Sequence, residues 1–115
     1  MDWPELLMHV EHRLGMYVGL PTYDRACALI TGFELARGRG ELTAFQRWMA
    51  GRHHGSNLTF SALILVEALG GEPGMTQPVT DEEHQAAVRH LCLRLHEFLD
   101  LDPADPPPPA PLTAG

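Results

Sequence analysis

The sequence predicts an all-α protein, a single compact bundle of about five helices followed by a flexible Pro-rich C-terminal tail. Three observations carry this expectation. Apolar residues recur at helical spacing along most of the chain, Gly, Pro and capping residues separate these runs, and no convincing strand-like alternation is present. At 115 residues and 44% apolar content, the chain has the size of one domain with one core. We assign residues 1–102 to the helical domain and 103–115 to the tail.

The first helix is expected over about 3 to 13. Trp3, Leu6, Leu7, Val10 and Leu14 form one stripe of a 3.6-residue period, with Asp2 as N-cap and Glu5 three residues later. In the following stretch, "RLGMYVG", Gly15 is expected to end this helix in a left-handed conformation. Met16, Tyr17 and Val18 then cross the end of the bundle, and Leu20-Pro21-Thr22 leads into the next helix.

The second helix, Tyr23 to about Arg37, is apolar on too wide a face for a surface helix, which predicts packing on more than one side. Gly38 and Gly40 terminate it. Thr43 and Gln46 have capping-box spacing, so a third helix is expected over about 44 to 54, turning Phe45, Trp48 and Met49 inward. "GSN" at 55–57 reads as a turn with an N-cap, and 58–69 is apolar nearly throughout, the pattern of a central fourth helix. Three glycines and two prolines in 70–79 mark a mobile loop. The fifth helix opens on "TDEE", a capping box of Thr80 and Glu83, and carries the core stripe Val88, Leu91, Cys92, Leu95, Phe98 and Leu99. The prolines of 103–115 bar a helix interior and favour a polyproline-II-biased tail.

The chain has 15 acidic and 8 basic residues, a formal net charge of −7, and every basic residue is arginine. Such a chain repels phosphate backbones, so nucleic acid is not an expected partner, whereas a basic protein would be steered towards it. No long uninterrupted apolar run and no secretory pattern are present, so no membrane association is expected and a cytoplasmic location is. Cys27 and Cys92 lie within apolar helical patterns, as buried thiols in a reducing compartment do.

Few residues point to chemistry. The glycines of "GMYVG" lack the spacing and the Gly-Lys-Ser/Thr of a phosphate loop. Seven histidines (His9, His12, His53, His54, His84, His90 and His96) show no converging ligand set, so no metal and no cofactor are expected. His9, His12, His90 and His96 lie off the core stripes and are expected on solvated faces, with His84 closer to the core. Glu34 and Glu67 fall on partly apolar faces. A buried carboxylate is a candidate general base unless a cation pairs with it, and Arg37 for Glu34, with Arg47 or Arg52 for Glu67, favour pairing. No nucleophile is placed beside a base, and no catalytic residue is assigned.

The string R-L-G-M-Y-V-G, followed by the "ITGFELA" run, resembles the R-P-G-M-Y-hydrophobic-G start and G-Y/F-x-x-A helix of a group of small bacterial helical proteins. Several of these are thought to be immunity proteins of polymorphic toxin systems. Leu14 stands where the motif has proline. The matching positions are Arg13, Gly15, Met16, Tyr17 and Gly19, and the resemblance implies a role in maintaining the fold. It also implies an immunity protein that binds and neutralises a cognate toxin, and the acidic charge of the chain makes a basic toxin domain the expected partner. The acidic positions suited to such a partner are Asp81, Glu82 and Glu83 at one end of the last helix, and Asp100, Asp102 and Asp105 at the other. The alternatives are a small ligand- or metal-binding module or enzyme using Glu34, Glu67 and the histidines, and a structural accessory subunit of a larger complex.

Overall fold

Among residues 2–100, which the computed structural model describes, all regular structure is helical: α1 Trp3–Arg13, α2 Gly15–Val18, α3 Tyr23–Arg37, α4 Glu41–Arg52, α5 Phe60–Leu69 and α6 Asp81–Asp100. The tail, together with Leu101 and Asp102 before it and Asp105 within it, lies outside the described residues. No described helix is long and apolar enough to cross a membrane.

The stripe of α1 is buried as its period requires, with Trp3, Leu6, Leu7 and Val10 turned inward and the Asp2 carboxylate accepting the Glu5 amide at 3.1 Å. Of α3, Tyr23, Ala26, Ile30 and Glu34 are buried. Phe45 of α4 is fully enclosed and meets the rings of Trp48, Phe60 and Phe98 at centroid distances of 5.9, 5.4 and 5.6 Å. These aromatic contacts tie α4, α5 and α6 into one core.

The central helix is α6 and not the apolar helix of 58–69. It packs against α1, α3, α4 and α5, burying Ala87, Val88, Leu91, Cys92 and Leu95. At about 1.5 Å per residue its 20 residues run roughly 30 Å, long enough to touch four neighbours. By contrast α5 has 10 residues and buries only Leu63, Ile64 and Leu65.

Three boundaries differ from the sequence expectation. Gly15 does not end α1 in a left-handed conformation; it opens the short α2, and the left-handed glycine is Gly19, at φ 81°. Helix α4 begins at Glu41 behind a left-handed Gly40, so Thr43 lies inside it and caps nothing. Gln46 instead donates to the Leu58 carbonyl at 2.9 Å and accepts the Phe60 amide at 2.6 Å, clamping the entry to α5. Helix α5 accordingly starts at Phe60, with Thr59 as its N-cap.

Glu34 is buried, as its position on α3 predicts, but Arg37 is not its partner. Its Oε2 accepts the Gly40 amide and closes the α3–α4 turn, while Arg37 lies over the Phe33 ring and 3.5 Å from Glu41. Glu41 also accepts from the Trp3 indole at 2.6 Å, joining the start of α1 to the start of α4. The 70–79 loop is held together by the Thr76 hydroxyl, which donates to the Gly70 carbonyl at 2.7 Å. Cys92 is buried and Cys27 partly so; both are free thiols, and burial pushes them up, to about 12 and about 11.

Candidate functional site

The stretch after α1 is a tight reversal built on its own backbone. Val18 and Tyr17 donate to the Leu14 carbonyl, and Gly19 to that of Gly15, closing α2 as one helical turn. The chain then bends at Gly19, where positive φ favours glycine and an added Cβ would sit 3.3 Å from the Arg25 guanidinium. That guanidinium donates to the Val18 carbonyl at 2.7 Å, so α3 fastens the turn that precedes it.

The start of α6 faces this reversal. Its capping box forms as the sequence predicts: the Glu83 amide donates to the Thr80 hydroxyl, and Glu83 Oε1 accepts the amides of Val79 at 2.8 Å and Thr80 at 3.1 Å. Those two amides hold the Glu83 carboxyl below the usual range. One residue later, His84 Nδ1 accepts the Tyr23 amide at 3.0 Å, capping α3 from across the bundle, and the Tyr23 hydroxyl donates to the Ser61 carbonyl at 2.7 Å. His84 thus joins the starts of α3 and α6, and its Nδ1 is the unprotonated ring nitrogen.

Between the two segments lies a cleft of about 780 Å³, within the range of roughly 300–1,000 Å³ common for ligand-holding cavities. Val10, Leu14 and Val88, each at most 5% exposed, lie buried beneath its floor, and Met16 and Leu20 stand at its edge 79% and 63% exposed. Glu11, His12, Arg13, Thr22, Asp81, His84 and Gln85 supply the polar lining.

The residues singled out from the sequence are therefore partly united. Arg13, Gly15, Met16 and Asp81 line the same cleft. Tyr17 turns to the far side of the turn, its ring edge-on to His9 at 5.3 Å above a smaller apolar groove of about 320 Å³. Glu82 is exposed beside Asp81, whereas Glu83 is folded back onto its own helix start. Asp100 stands at the opposite end of α6, in a separate hollow with Trp3, Arg37, Glu41 and His96.

A second polar centre joins α4, α5 and α6. Glu67 Oε2 accepts from His53 Nε2 at 2.6 Å, and Oε1 accepts from His90 Nε2 at 2.7 Å and Arg94 Nε at 2.8 Å. An ionised carboxylate only accepts, so both imidazoles carry the proton on Nε2. Arg52 stacks over Trp48, with its Nε 4.0 Å from Oε2. Burial raises the carboxyl, but the bonds from His90, Arg94 and His53 outweigh it and hold Glu67 at about 2. His90 is consequently not on a solvated face, and the main cation is Arg94, with Arg52 more distant. Among the described residues, no group of three or more His, Cys, Asp or Glu side chains converges in the geometry of a metal site.

Sequence reasoning did not find the partnership of His84 with Tyr23 or of His53 and His90 with Glu67. Their separations of 61, 14 and 23 residues leave no periodic signal. Compared with protein-family models, curated proteins and solved structures, the chain matches none.

Proposed function

We propose that this chain is a small acidic protein-binding protein of the immunity type, which neutralises a cognate basic toxin domain by covering it. The observation that carries the reading is the convergence of two distant segments, the R-L-G-M-Y-V-G turn and the acidic start of α6, on one cleft edged by exposed apolar side chains. The net charge of −7 supplies the long-range attraction for a basic partner.

The rival reading of an enzyme or ligand module built on Glu34 and Glu67 has less support. Glu67 takes a proton only near pH 2 and has donors on both oxygens, which makes it a poor base at neutral pH.

The test is co-expression with the product of the adjacent gene, scored first as growth and then as a pull-down from about 50 to 500 mM salt. Rescue of growth with a one-to-one complex that weakens with salt is expected. Joint Asp81→Asn and Glu82→Gln substitution should slow association about tenfold or more, without disturbing the Glu83 cap. A salt-independent complex would count against the acidic surface, and a harmless neighbour that still binds would indicate an accessory subunit.

A further inference from the structure

We infer that the cleft between the α2 turn and α6 receives from its partner a bulky apolar side chain flanked by lysine or arginine. The inference rests on the protein-binding reading above and names the part of the partner that is recognised.

The apolar component follows from the walls. Val10, Leu14 and Val88 lie buried beneath the floor, and the exposed apolar surface is that of Met16 and Leu20, between which an inserted aromatic or large aliphatic side chain would pack. Methionine adapts its shape to such a guest, and aromatic anchors in pockets commonly dominate binding energy.

The cationic component follows from what remains unengaged around those walls. Two helix N-termini flank the cleft, an arrangement that attracts anions when their amides are open. Here the Tyr23 amide is taken by His84 and the Glu83 amide by Thr80, and Asp81, Glu82 and Glu83 crowd the first turn of α6. Glu11 and Asp81 in the lining, with Glu82 beside them, face one arginine, Arg13. His12, loosely paired to Glu11 at 3.9 Å, adds charge only when protonated. The fixed charges of the lining, two carboxylates against one guanidinium, favour a cation next to the apolar anchor.

The test uses the full chain, isotope-labelled, and three blocked synthetic peptides with the centres Arg-Trp-Arg, Glu-Trp-Glu and Arg-Ala-Arg, titrated by nuclear magnetic resonance. Arg-Trp-Arg should give saturable shifts confined to the amides of 11–22 and 81–88, with the other two binding at least fivefold more weakly. Leu20→Glu and Met16→Glu, at exposed positions, should abolish saturation while leaving the melting temperature unchanged. Equal binding of Glu-Trp-Glu, or no saturable binding of Arg-Trp-Arg, overturns the inference. The peptides report on the cleft and the growth assay on the toxin. Peptide saturation beside a harmless neighbour would keep the cleft assignment and remove the toxin reading; growth rescue without peptide saturation would do the reverse.

Discussion

Replacing Glu67 with glutamine removes the charge at the junction of α4, α5 and α6 while keeping the side chain's shape. The carboxyl lies at about 2 in the fold against an ordinary 4.5, a difference capped at roughly 3.5 kcal/mol when taken at about 1.4 kcal/mol per pH unit. Solvent on the open side of the cluster reduces this to about 2–3 kcal/mol, in line with breaking a partly buried pair by deleting one partner. Because the folded value is depressed, the stabilisation is complete above about pH 4.5 and is lost as pH falls towards 2. Urea unfolding followed by the fluorescence of Trp3 and Trp48 provides the assay. Glu67→Gln should be less stable by about 2–3 kcal/mol at pH 6, and the gap should narrow by about half or more at pH 3. A variant within about 0.5 kcal/mol of the parent at pH 6, or a gap that does not change between pH 6 and pH 3, would refute the assignment.

The turn, the cross-bundle cap and the end of α4 each yield a further expectation. Gly19→Ala should cost about 1–2 kcal/mol in chemical denaturation, since it combines positive φ with the approach of Arg25, while Gly15→Ala, with open space around its Cβ, should be neutral or stabilising by up to about 1 kcal/mol. His84→Ala leaves the Tyr23 amide without its acceptor. It should cost about 1–3 kcal/mol and accelerate hydrogen exchange at that amide specifically. Among the described residues, His54 is the one non-glycine at positive φ, at 60°, so His54→Gly should raise stability by about 0.5–1 kcal/mol, read as an increased melting temperature.

Helical period located every long helix, because one buried face per helix leaves a repeat that needs no knowledge of the neighbours. It was less informative about rank. The 58–69 run is the more uniformly apolar, yet α6 is central because it is twice as long as α5 and its inward stripe meets four helices. Caps were legible where donor and acceptor lie within one turn, as at Asp2 and Thr80, and misleading at Thr43, whose box partner Gln46 bonds instead to Leu58 and Phe60. A side chain with both an acceptor and a donor can satisfy distant backbone groups as well as local ones, and sequence spacing records only the local option.

The same distinction separates the legible from the illegible parts of the site. The motif string marked a turn, but the expectation placed the left-handed residue at Gly15, whereas the positive φ falls at Gly19. The acidic positions also ceased to be equivalent once folded. Glu83 holds the start of α6 through two backbone amides, and Asp100 stands some 30 Å away at the other end of the helix, in a hollow shared with Arg37. Asp81 and Glu82 combine an unengaged carboxylate with neighbouring apolar surface, since Met16, Leu20 and Val79, all more than 60% exposed, lie at or beside that end. Charge draws a partner from a distance, but buried apolar contact slows its departure, so on the protein-binding reading proposed above the end of the molecule that offers both is the one where a lasting complex would form.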